Sequence, residues 1–141
     1  TLVICEKKRK IKVNALVDTG NQLREPLTDK PLCVASYKAL RSLLPEALIT
    51  AYDQGGDPVE ALGSLDVEQE TCFGIAPFRS LENSGILVTY RPTLVLLEYG
   101  GYKEARKDIV FALTARPLSL DNDVEVLLHP FVLETLGGVV T

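Results

Sequence analysis

The sequence predicts a mostly β protein with one or two short helices. Three observations carry that reading. Apolar residues alternate through residues 10–17, with Ile11, Val13, Ala15 and Val17 on one face. Further short runs have strand composition, and turn-forming or charged breaks separate them. Only two stretches carry helix signals, one after Ser36 and one after His129.

Residues 1–5 are β-rich, and the charged break Glu6-Lys7-Lys8-Arg9 leads into the alternating run 10–17, which is a hairpin pattern. Pro26 and Pro31 bracket a loop, and residues 32–35 read as a short strand. Ser36 suits the N-cap of a helix over 37–44, with Leu40, Leu43 and Leu44 as its apolar stripe and Pro45 as its stop. Residues 53–58 form the clearest loop. Residues 65–75, 86–90 and 93–99 have strand composition, and Gly100-Gly101 is a turn. Residues 109–115 are another strand, 118–123 a polar turn region and 124–128 a short buried strand. Pro130 suits the first position of a helix over 131–136 with His129 as its cap, and Gly137-Gly138 ends it before a strand stub at 139–141.

At 141 residues the chain fits one domain, spanning 1–141, and is long enough to bury a core. Its 46% hydrophobic and 24% charged residues are near the average for a soluble domain. No apolar run approaches a membrane span. A net charge of −4 argues against bulk nucleic-acid binding. The chain starts with Thr1 rather than Met and shows no signal-peptide pattern, so it reads as a piece of a longer protein. Cys5, Cys33 and Cys72 lie far apart with no C-x-x-C pair, which argues against a zinc site and a disulfide framework and for a reducing compartment. His129 is the one histidine, so multi-His metal sites are excluded. No P-loop or G-x-G-x-x-G supports nucleotide chemistry, and no cofactor is expected.

The informative stretch is Ala15-Leu16-Val17-Asp18-Thr19-Gly20-Asn21, an apolar strand running straight into D-T-G. Aspartic peptidases need a carboxylate at the end of a rigid strand, facing a partner carboxylate with which it shares one proton. One oxygen activates water while the protonated partner polarises the peptide carbonyl. In that scheme Asp18 is catalytic. Thr19 supplies a hydroxyl that bonds across paired loops, and Gly20 lets the backbone aim an N–H at the carboxylate. The plainer reading is an ordinary turn after a strand. The chain has one D-T-G and no second copy. A two-carboxylate mechanism therefore needs a second chain, with the same loop from each subunit at a two-fold axis.

The two ends of the chain resemble retroviral peptidases, which have one lobe per chain. Val126-Leu127-Leu128-His129-Pro130 lies where those enzymes carry two apolar residues and a Gly before a helix, with His129 in place of the Gly. The longer pattern Asp18-Thr19-Gly20-Asn21-Gln22-Leu23-Arg24-Glu25-Pro26-Leu27-Thr28 resembles the signature of the SpoIIGA family of sporulation sigma-E factor processing peptidases. Ala76-Pro77-Phe78-Arg79-Ser80-Leu81, Gly85-Ile86-Leu87, Tyr90-Arg91-Pro92 and Leu127-Leu128-His129-Pro130 resemble further segments of that family. The resemblance covers about Cys5 to Leu136.

The resemblance implies a retropepsin-like (acid protease) β-barrel fold with Asp18 as the catalytic aspartate. It implies removal of the pro-sequence of the sigma-E precursor by a homodimer. It also implies a membrane part preceding this domain, a place at the cytoplasmic face of the mother-cell septal membrane, and activation by a forespore-derived signal protein.

Other residues admit a sharp and a bland reading. His129 is a catalytic base or a helix cap. Lys7-Lys8-Arg9-Lys10 touches anionic lipid or is a solvated hairpin tip. Arg79 is a charge partner or a surface residue. Arg79, Ser80, Asn83, Ser84 and Gly85 belong to a flap hairpin over a substrate cleft or to a surface hairpin. If one chain worked alone, Asp57, Asp66 or Asp108 would have to supply the second carboxylate. The function from a different class is a non-catalytic dimerisation or binding module that keeps D-T-G as a turn. A hydrolase built on His129 is disfavoured because no nucleophile-elbow motif is present.

Overall fold

A computed structural model describes residues 1–79, 84–119, 121 and 123–134. Among these the strands are β1 (Leu2–Glu6), β2 (Arg9–Val13), β3 (Ala15–Val17), β4 (Leu32–Ser36), β5 (Phe73–Arg79), β6 (Ser84–Tyr90), β7 (Leu94–Tyr99), β8 (Tyr102–Arg106), β9 (Val110–Thr114) and β10 (Val126–Leu128). The helices are short: α1 (Glu46–Asp53), α2 (Pro58–Ala61), α3 (Val67–Glu70) and α4 (Pro130–Glu134). The mostly β expectation holds.

The expected barrel does not form among the described residues. The strands make two open sheets, one in the order β2-β1-β7-β8 and one in the order β3-β10-β4-β9-β6-β5. The alternating run 10–17 is not one strand. It breaks at Asn14, whose carbonyl accepts the N–H groups of Glu125 and Val126 at 3.0 and 3.1 Å. Arg9–Val13 stays paired with β1, while Ala15–Val17 leaves for the second sheet and runs parallel to β10.

The main core lies between the sheets. Leu2, Ile4, Val13, Val95 and Leu97 come from the first, and Cys33, Val88, Tyr90, Phe111, Leu113 and Val126 from the second. Burying such side chains contributes about 1.5–3 kcal/mol each. The far face of the six-stranded sheet carries a smaller cluster of Leu32, Ala76, Val110 and Ala112, with Leu23 and Leu87 packed on it.

Two predicted elements need correction. Residues 37–44 are not an α-helix. Their amides bond back three residues, as in Leu40 N–H to Tyr37 at 3.2 Å and Leu43 N–H to Leu40 at 2.9 Å, and only Arg41–Leu43 is a 3₁₀ turn. Tyr37 holds this segment to its neighbours, because its N–H bonds the Thr114 carbonyl and its ring stacks on Tyr52 at 4.5 Å. The predicted stripe is still buried. Pro45 opens a helix rather than stopping one. It has no N–H to lose at that position, and its carbonyl accepts from Leu48 and Ile49. The predicted strand 65–75 is helical at first. Asp66 and Gln69 form a reciprocal capping box on α3, and the strand begins only at Phe73.

Besides α1 and α3, two further elements went unpredicted, α2 and β8. The expected loop 53–58 narrows, because Asp53 ends α1 and Pro58 opens α2. β5 tolerates Pro77 because it is the edge strand of its sheet. The Gly100-Gly101 turn holds, with both residues at positive φ, 55° and 87°. The predicted helix end at Leu136, the Gly137-Gly138 stop and the strand stub 139–141 lie outside the described residues, as do residues 120 and 122 of the polar turn region.

Candidate active site

β3 presents Asp18 at its end. The Asp18 N–H bonds the Leu128 carbonyl at 2.9 Å, so the β3–β10 pairing continues to the residue that bears the carboxylate. β10 lies between β3 and β4, parallel to the first and antiparallel to the second. The chain therefore leaves Asp18, loops out, and returns as β4 on the far side of β10.

The loop is tied at three points. Gly20 N–H donates to Asp18 Oδ1 at 3.1 Å, and Asn21 N–H donates to the Asp18 carbonyl at 3.0 Å. Asn21 is buried, 7% exposed, and its amide spans the loop. Its Nδ2 donates to the Leu32 carbonyl at 2.8 Å, and its Oδ1 accepts Leu23 N–H at 2.8 Å. A buried amide with both ends satisfied fixes the backbone on either side of it. Asp18 is half-buried, whereas Thr19 and Gly20 are exposed. The Thr19 hydroxyl makes no hydrogen bond among the described residues, so its predicted bridge across two loops is not made within this chain. A Cβ added at Gly20 would meet only Asp18 Oδ1, at an ordinary 3.6 Å, so the fold of one chain does not itself demand glycine there.

The rest of the signature loop is structural. The Glu25 carboxylate accepts the Thr28 N–H at 3.1 Å and the Thr28 hydroxyl, which together hold it below the usual carboxylate range. Arg24 reaches over the Phe131 ring at 4.7 Å and donates to the Asp29 carbonyl at 2.8 Å, joining this loop to α4. Sequence reasoning gave Arg24 no role. A cation between a turn and an aromatic residue 107 positions later has no local signal.

His129 takes its bland reading. It is 3% exposed, and its Nδ1 accepts the Phe131 N–H at 3.1 Å, which caps α4. Its own N–H donates to Cys33 Sγ at 3.5 Å, and burial pushes the Cys33 thiol up to about 11. Histidine in place of the expected glycine does not open the packing behind Asp18, since the Leu128–Asp18 bond is kept.

Three acids that could supply a second carboxylate are engaged elsewhere. Asp57 caps α2 through Val59 N–H at 2.9 Å, and Asp66 caps α3. Asp108 pairs with Arg106 through both oxygens at 2.7 Å, which pulls its carboxyl below the usual range.

β5 and β6 form the expected hairpin, with Arg79 opposite Ser84 and Phe78 opposite Gly85. Arg79 and Ser84 are exposed, and Ser80 and Asn83 lie outside the described residues. The pairings Leu16–Leu127, Leu127–Val34, Val34–Ala112, Ala112–Thr89 and Thr89–Gly74 run as one row across the six-stranded sheet. By strand alternation Asp18 follows Leu16 onto that face, and Ala76 and Phe78 follow Gly74 onto it. The carboxylate and the inner side of the hairpin thus share one face, which also carries the small cluster with Leu23 packed on it. Phe78, unassigned from the sequence, lies over Gly85 so closely that a Cβ there would meet its ring at 2.8 Å. Cavities of about 590, 490 and 400 Å³ are lined by other residues, and none of the three includes Asp18, Thr19 or Gly20.

The family model of the sporulation factor SpoIIGA matches residues 1–132. The chain belongs to the SpoIIGA family. Two relatives are named sporulation sigma-E factor-processing peptidase. The one from Priestia megaterium (strain ATCC 12872 / QMB1551) is 26% identical over 124 residues, which cover 85% of this chain and 39% of the relative. The one from Bacillus subtilis (strain 168) is 25% identical over 124 residues, 86% of this chain and 40% of the relative. A relative from Bacillus thuringiensis subsp. kurstaki is 24% identical over 127 residues, 89% of this chain and 78% of its own length. The chain thus spans about two fifths of two of these SpoIIGA-type relatives. No solved structure matches it. Among the described residues no helix is long and apolar enough to cross a membrane.

Proposed function

We propose that this chain, a single domain over 1–141, is one half of a retropepsin-like aspartic endopeptidase that removes the pro-sequence of a sporulation sigma-E factor precursor. The observation that carries the reading is the end of β3. Asp18 is placed by a strand ladder, steadied by Gly20 N–H and Asn21, and left half-open to water. Two such carboxylates at a two-fold axis would share one proton. One would activate water while the other donates to the peptide carbonyl oxygen. Each chain supplies one Asp18, and the free hydroxyl of Thr19 bonds the opposing loop. The commitment of Asp57, Asp66 and Asp108 to other partners supports a second chain as the source of the missing carboxylate. The β5–β6 hairpin, with Arg79, Ser84, Gly85 and the inward Phe78, serves as the flap. The relatives' names support the precursor as substrate. On this reading the enzyme works at the cytoplasmic face of the septal membrane, under control of a forespore-derived signal protein.

Co-expression with sigma-E precursor tests the reading. Wild type should process it, and Asp18→Ala should not. Mixing wild type with excess Asp18→Ala chains should lower activity roughly as the square of the wild-type fraction. A fall in simple proportion would mean each chain works alone and would overturn the two-chain site.

A further inference from the structure

The four-stranded sheet has one face in the core and one face open. On the open face Lys12, Val3, Leu96 and Ala105 form one row, and Lys10, Cys5 and Leu94 form the next. Apolar Val3, Cys5, Leu94 and Leu96 occupy the middle of this face, with Glu98 beside Lys103 at one end, and lysines its two flanks, Lys10 and Lys12 on β2 and Lys103 on β8. Leu96 is 40% exposed, and Ala105 and all three lysines are exposed. A shallow depression of about 400 Å³ runs along it, lined in part by Val3, Lys12, Leu96, Lys103 and Ala105 and also by Glu98 and Glu104.

Charge is segregated onto this sheet. Residues 2–13 and 94–106 carry seven basic and three acidic residues, a balance of +4 on a chain whose net charge is −4. The remaining residues therefore stand at −8. One of the three acids, Glu6, is occupied by Tyr90 and Thr93 at 2.6 and 2.8 Å, and two of the seven basic residues, Lys7 and Arg106, pair with Glu68 and Asp108 outside the sheet, which leaves Lys8, Arg9, Lys10, Lys12 and Lys103. Lysines on β2 and β8 also discourage edge-to-edge pairing. That role does not account for an apolar strip left open between them.

We propose that this face docks on the surface of an anionic phospholipid bilayer. Lysines flanking a shallow apolar strip match phosphate headgroups around a shallow acyl boundary. The −8 remainder of the chain is repelled by the same surface, so the molecule is oriented as well as attracted. Docking uses neither Asp18 nor its loop.

Flotation of the chain with vesicles of phosphatidylglycerol or of phosphatidylcholine tests this. The expected result is binding to phosphatidylglycerol, released by high salt, and none to phosphatidylcholine. The variant Lys10→Glu/Lys12→Glu/Lys103→Glu should lose at least about tenfold in partition, with an unchanged unfolding transition. Leu96→Ser should weaken binding less and leave the remainder more salt-sensitive. Equal flotation with both lipids, or a charge-reversed chain that binds as well as wild type, would overturn the proposal. So would a wild type that ignores vesicles yet binds polyglutamate, which would assign the face to an acidic protein instead.

Discussion

Asp18 and Asp53 are both carboxylates at the end of a regular element, and the fold uses them in opposite ways. Asp53 closes α1 and is consumed. Arg41 grips both of its oxygens at 2.7 and 2.6 Å, Tyr37 adds a hydroxyl at 2.8 Å, and the guanidinium holds the carboxyl down at about 2. Asp18 closes β3 and, among the described residues, accepts one backbone N–H on one oxygen. Its position is fixed through its main chain and through Asn21. The carboxylate itself is left with unused acceptor capacity. Asp53 is thus fixed mainly by its side chain, whereas Asp18 is fixed mainly by its main chain and the loop around it.

The sharpest break of that contrast is a pair of isosteric substitutions. Asp18→Asn should abolish precursor processing and leave thermal unfolding unchanged. Asp53→Asn should do the reverse, lowering the melting temperature while processing persists in the folded fraction. Precursor cleavage and a melting curve on each variant decide it, and a loss of processing without destabilisation in Asp53→Asn would erase the distinction.

Removing the support should come next in size. Asn21→Ala leaves the buried Leu32 carbonyl and Leu23 N–H without partners, at a cost of about 1–3 kcal/mol in chemical unfolding. Activity should fall further than stability does, because the loop carrying Asp18 is released.

The side chains left free give smaller effects. Thr19→Val should weaken self-association by about 0.5–1.5 kcal/mol per lost bond while the unfolding of one chain stays unchanged. An unaltered association constant in sedimentation would count against the bridge. Gly20→Ala should be tolerated by the isolated fold, given the 3.6 Å clearance, but should lower activity where two loops meet.

Acid titration gives the gentlest test. The Asp53 carboxyl is depressed from 3.8 to about 2, so the folded state binds its proton less readily than the unfolded chain does. Its contribution to stability is present above about pH 4 and lost as pH falls toward 2. Asp53→Asn should flatten the stability profile across that window and leave it parallel to wild type above it.

The local geometry of the candidate site was more legible in the sequence than the framework around it. Asp18-Thr19-Gly20 after an apolar strand, and Pro130 behind a capping His129, are local patterns, and local hydrogen bonds decide them. The helix at Pro45 was misread because proline stops a helix it follows and starts one it precedes, and the Leu40–Leu44 stripe pointed to the wrong side. The Asp66–Gln69 capping box was present but hidden in a run of strand-like composition. The switch at Asn14 had no local signal, since its cause is the arrival of Glu125 and Val126. β8 was missed because its alternation, Tyr102-Lys103-Glu104-Ala105-Arg106, carries almost no apolar residue. The contact of Arg24 with Phe131 belongs to the same non-local class.

The placing of β10 between β3 and β4 also has a meaning in time. Asp18 is made early in the chain, yet the strand that positions it ends at Leu128, and Asn14 waits for Glu125 across a separation of 111 residues. At about 5–20 residues per second of synthesis, roughly 5–20 s separate the birth of the carboxylate from that of its support. Pairings of such long range also form late in folding. A chain interrupted before residue 126 holds the whole D-T-G sequence but lacks β10, so the Leu128 carbonyl that receives the Asp18 N–H exists only once nearly all of the chain has been made.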